Sequence, residues 1–583
     1  MLKKDPHMPD IIIKNGTIVD GTGAPSFQGD IAITGDRIEA IGALNGAQAQ
    51  KVIDATGRVV CPGVIDVHSH ADMSIYRPDQ DDLLEPLVRQ GITTFIGGNC
   101  GMGLAPIGDK HPDLIQQYLE AFTAFDFTQA VQWKSTGEFL DTLDQRGVVM
   151  NCAMLSPHGL LRIDAQGFEG RPANDDEIAA MSRSLDQSME EGCIGLSTGL
   201  QYFPGLKSDT RELVELGRIV KKHNGVFASH IRSYSNTLPL AVDEIVEVAR
   251  ENQINAQISH IFFVPDFGFI APVMRKLVIW LAALSKRWTP PIPLDIDVAK
   301  QLKKLDELRT QGTNVLMDVM PTTTGFTHLL AFFPPWALQG SMDDIKTRLA
   351  DTETRKRILH SITKGKMVWP HLEDDAWTLN LFKTMGWTCC RIMSVVSEKN
   401  KHLEGRSLVD IAREQGKHPL DAACDLLLDE DCKVLVFESM AEPEDNFTER
   451  SAFAPIKHPE TPITTDTILM GFGKPSYLFY ATYPKFFGRY VREKKMLDME
   501  TAVRKVTGLP ARHFHIKDRG ELKPGYFADI LVFDPETIAP RATFTEPIAF
   551  PVGIDHVFIN GAHVVEGVTM HKQERHGRVL RRA

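Results

Sequence analysis

The sequence predicts a (β/α)8 TIM-like barrel with a small β-sandwich domain built from both chain ends. Three observations lead there. Strand-like and helix-like runs alternate between about residues 61 and 515, short turn-bounded strands occupy both termini, and polar residues gather where the strand-like runs end. A chain of 583 residues is too long for one ordinary domain and has room for a barrel and a companion. The expected division is residues 1–60 plus 516–583 for the composite β domain and residues 61–515 for the barrel.

The N-terminal strands are read from Ile11-Ile12-Ile13-Lys14-Asn15-Gly16 and Asp30-Ile31-Ala32-Ile33-Thr34-Gly35, apolar runs closed by Gly and Asp turns. Ala528–Phe533 and Asp555–Gly561 have the same texture at the other end, so the two ends can pair. Between them the barrel strands are expected at 64–67, 93–97, 148–155, 193–198, 226–230, 256–260, 314–317 and 463–466. Helical stretches such as Asp175–Glu191 and Leu240–Asn252 separate them. Catalytic residues of such a barrel sit at the C-terminal ends of its strands. Residues 262–297 break the alternation: Pro272–Trp288 is densely apolar, has basic flanks and is followed by prolines at 290, 291 and 293. Its apolar run is far shorter than the roughly 20 residues that span a bilayer. It reads as an insertion after the sixth strand, serving as a lid, an oligomer contact or an interfacial helix at a membrane surface.

Composition narrows the function. Hydrophobic and charged contents of 43% and 24% are those of a globular protein, and a net charge of −12 argues against nucleic acid as a partner. The basic end (Arg575, Arg578, Arg581, Arg582) reads as a solvated tail. Met1–Asp5 has no apolar run after its lysines and so does not read as a signal peptide. Eight cysteines without a regular pattern suggest a reducing compartment, with a cytoplasmic enzyme as the default.

The chemistry begins at Val64-Ile65-Asp66-Val67-His68-Ser69-His70. Side chains at i and i+2 of a strand share a face, so His68 and His70 can chelate one divalent cation. An isolated His-x-His more often closes a strand with two polar residues. Here it has company: Asn99-Cys100-Gly101 after the second strand, Ser229-His230 and Ser259-His260 one βα unit apart, and Thr464-Thr465-Asp466-Thr467 at the last strand. Histidine, cysteine and carboxylate donors together suit Zn²⁺, which lowers the pKa of a bound water from about 16 to near 7. A neighbouring carboxylate can take the water's proton and pass it to a leaving nitrogen. The constellation therefore implies metal-assisted hydrolysis of a polar carbonyl.

At this point the chain resembles the amidohydrolase superfamily, and within it the N-acyl-D-amino-acid deacylase group. The carrying motifs are Asn15–Gly23, Pro62–His70, Gly97-Gly98-Asn99-Cys100-Gly101, Leu196–Tyr202, Pro334–Ala337, Thr482–Tyr490 and Gly520–Asp529. The resemblance implies that Cys100, His230 and His260 hold a tight zinc. It also implies that His68 and His70 face a second, weaker metal position, that Asp466 is the general base and acid, and that Tyr202 meets the substrate. Three departures concern the substrate. Ile261-Phe262-Phe263 stands where the family has a lysine for the substrate's carboxylate, Asp318-Val319-Met320-Pro321-Thr322 lacks two family tyrosines, and Lys474-Pro475-Ser476 replaces a His-Pro-Arg. The expected activity is cleavage of a linear amide, from an N-acyl-D-amino acid or an apolar N-acyl compound. Hydrolysis of a cyclic amide, imide or lactone is the alternative enzymatic reading, and a non-catalytic scaffold the third.

Overall fold

The computed structural model describes residues 8–123, 132–369, 372, 376–377, 379–441, 443–572 and 574–582. The Met1–Asp5 stretch lies outside them. Five strands open the chain: β1 (Ile11–Ile18), β2 (Phe27–Thr34), β3 (Arg37–Gly42), β4 (Lys51–Asp54) and β5 (Val59–Pro62). Seven parallel strands follow: β6 (Val64–Asp66), β7 (Ile92–Gly97), β8 (Asn151–Pro157), β9 (Gly195–Gly199), β10 (Val226–His230), β11 (Asn255–Ile258) and β12 (Val315–Met317). They neighbour one another in chain order, as consecutive βα units require. Each is short and almost wholly buried, because helices cover one face and the barrel core fills the other.

The helix Asp175–Glu190 shows why the alternation is legible. Asn174 and Glu177 form a reciprocal capping box at its start, and Ile178, Met181, Leu185 and Met189 bury one face. The eighth barrel position is not a continuous strand. Residues 463–467 fill it through two isolated bridges, Val319 with Ile463 and Ser69 with Thr467, so the ring closes between β12 and β6. The backbone of 463–467 bonds to both neighbours, Thr464 N–H to Val319 O and Asp466 N–H to His68 O, and the run bends where Asp466 turns into the left-handed region at φ 52°.

A large excursion between β12 and residue 463 has its own core around Leu329, Phe332, Ile358, Leu427 and Val436. It carries β13 (Gly325–His328), the two-residue strands β14 (Lys366–Met367) and β15 (Ala376–Trp377), then β16 (Cys390–Ser394) and β17 (Leu435–Glu438). β17 is the middle strand of an antiparallel trio with β13 and β16. The C-terminal strands β18 (Ile530–Phe533), β19 (Ile554–Ile559), β20 (Ala562–Glu566) and β21 (Thr569–Met570) join β1–β5 in one nine-stranded sheet, where β18 pairs with β5.

Two features of the surface bear on the expectations. The basic end is not a solvated tail: Arg575 pairs with Asp81, Arg578 with Asp36 and Arg581 with Asp141, and the backbone of 578–580 bonds to Cys152. Acidic side chains of the barrel and of the β2–β3 turn attract those arginines, and sequence composition does not show such partners. The apolar insertion forms the helix Ala271–Leu284. Val278 of this helix, together with Phe267, Pro293 and Leu294, lines a cavity, while Val273 and Trp280 are 68% and 60% exposed. Among the described residues no helix is long and apolar enough to cross a membrane.

Candidate metal centre

Each candidate ligand is delivered by a strand end and fixed by a local device. His68 and His70 follow β6. Its last residue, Asp66, accepts hydrogen bonds from Thr464 Oγ1 (2.7 Å) and the Thr465 backbone N–H (3.2 Å). The backbone continues the clasp, with Asp466 N–H donating to His68 O and His70 N–H to Thr467 O. This pairing sets Asp466 beside both histidines, its Oδ1 3.4 Å from Nε2 of each.

Cys100 sits on a tight turn after β7. Asn99 Nδ2 donates to Ile96 O, and Gly98, Cys100 and Gly101 all have positive φ. Gly98 is required there, because a Cβ would lie 2.2 Å from Leu155 O. His230 ends β10, and its Nε2 meets Gln201 Oε1 at 2.9 Å. His260 follows β11 at φ 34°, its backbone N–H donating to Asp318 Oδ1, while Gln257 Nε2 holds Asp318 Oδ2. Three candidate ligands, Cys100, His260 and Asp466, thus have left-handed backbone, a conformation that costs about 1–3 kcal/mol at a non-glycine and gathers at functional sites.

The six side chains converge. Cys100 Sγ lies 3.3 Å from His68 Nε2 and 3.6 Å from both His230 Nδ1 and His260 Nε2, and the last two are 3.0 Å apart. All six are between 0% and 8% exposed. Zinc bonds of about 2.0–2.3 Å at tetrahedral angles set ligand atoms roughly 3.3–3.7 Å apart, so this donor set has the spacing and the sulfur–imidazole–carboxylate chemistry that the ion needs. Two overlapping groups appear, His68–Cys100–His260 and His68–His70–Asp466.

The electrostatics agree with a cation site. Burial would raise the Cys100 thiol, but His68, His230 and His260 hold it well below the usual thiol range. Burial would likewise raise Asp466, yet His68 and His70 keep its carboxyl far below the usual carboxylate range. For His70 burial works downward, and Asp466 and Cys100 outweigh it, lifting the ring to about 9. His230 is lowered to about 4 by burial and by the charge of His260.

Two cavities meet at Gln201 and Tyr202. The larger, about 350 Å³, reaches His230, His260 and Asp466 and is walled by Phe262, Phe263, Met320 and Phe326. The smaller is lined by Phe168, Phe203 and Trp377. Tyr202 borders both, its ring 4.6 Å from that of His230. All seven residues singled out in the sequence therefore lie at one place. Reasoning from sequence did not assign roles to Gln201, Asp318 or Glu438. An aspartate directly after the apolar run Val315–Met317 marks a strand end at Asp318 but not its contact with His260; nothing local marks Glu438.

A model of the amidohydrolase family matches residues 454–565. The chain is 29% identical to a D-aminoacylase of Alcaligenes xylosoxydans xylosoxydans, over all of this chain and 99% of that protein. It is 30% identical to an N-acyl-D-glutamate deacylase of the same organism, over 98% of this chain and 96% of the relative. The crystal structure of N-acyl-D-glutamate deacylase from Bordetella bronchiseptica, complexed with zinc and a phosphonate mimic of the tetrahedral intermediate, aligns with a TM-score of 0.75. That alignment has 28% identity and covers 99% of this chain and all of the other.

Proposed function

From the premise that this chain belongs to the N-acyl-D-amino-acid deacylase group of the amidohydrolase superfamily, we propose that it is a zinc-dependent hydrolase that cleaves a linear amide. The observation that carries this reading is the convergence of six buried donor atoms from five strand ends at 3.0–3.6 Å. Cys100, His230 and His260 would hold the tight zinc, and His68 and His70 with Asp466 a second, weaker position.

A zinc held by these residues would supply a Lewis acid able to acidify a water and polarise the amide carbonyl. Asp466, kept ionised between His68 and His70, takes the attacking water's proton and returns it to the amide nitrogen. The C–N bond breaks as the C–O bond forms, leaving a carboxylate and an amine. Gln201 fixes the tautomer of His230 through Nε2, and Asp318 anchors the His260 backbone. Tyr202 contacts the substrate where the two cavities join.

The apolar walls suit a bulky apolar amide, and the helix Ala271–Leu284 closes one side of the pocket. The strands at the two chain ends act as one composite domain through the β18–β5 pairing, whereas the backbone of 578–580 lies against β8 of the barrel. A cytoplasmic setting is supported by eight buried, unpaired cysteines. The test is turnover by the zinc-loaded protein on N-acyl-D- and N-acyl-L-amino acids beside neutral amides and lactones. Cleavage of linear amides supports the reading; cleavage of lactones or imides alone, or no zinc-dependent turnover, overturns it.

A further inference from the structure

We propose that the large cavity selects a substrate that carries no free carboxylate and offers Glu438 a nitrogen-bound hydrogen, an ammonium or a carboxamide N–H. The inference rests on reading the site as an amide hydrolase and specifies which amide it takes.

Outside the metal centre the cavity wall offers one uncompensated charged group, Glu438. Among the described residues that line it there is no lysine or arginine, while Asp297, Glu438 and Asp466 all border it. Away from the metal centre, a substrate carboxylate entering here would meet no lysine or arginine and would lie near Glu438, and a buried charge left unpaired is costly. Lys474 does not supply that cation: its backbone N–H bonds to Met393 O and its ammonium faces the Phe544 ring, away from the cavity lining.

Most other polar groups in the wall are already committed. Thr322 Oγ1 donates to Glu444, Ser439 Oγ to the Ala441 carbonyl and Ser451 Oγ to the Thr448 carbonyl, and Asp297 pairs with Lys300. Glu438 Oε2 is buried without a hydrogen-bond partner, and so is Thr324 Oγ1 one residue from Gly325. Position follows from register. Glu438 ends β17 directly opposite Gly325 of β13, and both residues border the cavity.

An unpaired carboxyl oxygen in an apolar wall is costly unless a ligand satisfies it. Burial, opposed by His260, pushes the Glu438 carboxyl up to about 7, as expected for a carboxyl whose charge nothing in the wall compensates. An ammonium or carboxamide N–H placed against Oε2 satisfies that oxygen.

The test uses a matched pair, N-phenylacetyl-D-phenylalaninamide and N-phenylacetyl-D-phenylalanine, which differ only in carboxamide against carboxylate. Dissociation constants are measured by titration calorimetry on the zinc-loaded Asp466→Asn chain, which separates binding from turnover. The carboxamide should bind at least about tenfold tighter, Glu438→Gln should bring the ratio to within about threefold, and Glu438→Lys should reverse it. Glu438→Gln keeps the side chain's shape, so the result stands even if the lysine variant does not fold. Equal or tighter binding of the acid, or a preference that survives Glu438→Gln, overturns the proposal. The two readings fail separately: absence of zinc-dependent turnover across the whole amide panel counts against the hydrolase reading, whereas loss of the binding preference counts against this selectivity alone.

Discussion

Glu212→Gln should cost the fold about 3–5 kcal/mol at neutral pH. Glu212 is completely buried in the helix Thr210–Lys222, where one carboxylate oxygen lies 2.7 Å from His158 Nε2 and the other accepts from Arg162, itself fully buried. Removing one partner of a buried ion pair leaves an uncompensated charge, which sets the magnitude. Linkage gives an independent figure. Burial pushes the carboxyl up, but Arg162 and His158 prevail and lower it from 4.5 to about 2, a difference worth about 3 kcal/mol at neutral pH. Because the folded pKa lies below the unfolded one, this stabilisation is complete above about pH 4.5 and disappears as the pH falls through about 2. The variant should therefore unfold at lower urea than wild type at pH 7, and the gap should shrink steadily below pH 4. The site should feel the change, since the residue after His158 donates its backbone N–H to Gly101 O, beside Cys100. Urea midpoints at pH 7, 4 and 3, followed by tryptophan fluorescence, measure it. A variant within about 1 kcal/mol of wild type at pH 7, or a gap that is independent of pH, refutes the reasoning.

Two further outcomes are expected. Asp466→Asn keeps its backbone clasp to His68 and should retain most zinc while losing roughly two to four orders of magnitude in kcat, checked by metal content and steady-state rates. Deleting Val273–Arg287 removes Val278 from the pocket wall and should cut turnover of bulky apolar amides much more than that of N-acetyl compounds, since buried apolar area is worth about 25 cal/mol per Å². Unchanged preference with a dissociated oligomer would make the segment an interface instead.

The metal centre was legible because its ligands lie at strand ends, and strand ends are marked by period-two apolar runs that stop at a polar residue. His68, His70, His230 and His260 each follow such a run. Cys100 was legible through its glycine-flanked turn. Asp318 was not assigned because its role depends on β11 and β12 lying side by side, which brings its carboxylate to the His260 backbone. Glu438 was invisible for a stronger reason: only the antiparallel register between β13 and β17, more than a hundred residues apart, brings it to the cavity. The strand expected at 463–466 pairs through its backbone on both sides, but only as isolated bridges, and the added clasp of the Thr464 and Thr465 hydroxyls on Asp66 is nothing that periodicity can show.

The account stands most directly on zinc held by Cys100, His230 and His260. Wild-type and Cys100→Ala chains should be stripped with chelator, reloaded with zinc, gel-filtered and assayed for bound metal and amide turnover together. The account predicts about one tightly held zinc per wild-type chain with activity restored, and loss of most of both in Cys100→Ala. A Cys100→Ala chain that keeps its zinc and its turnover would contradict it.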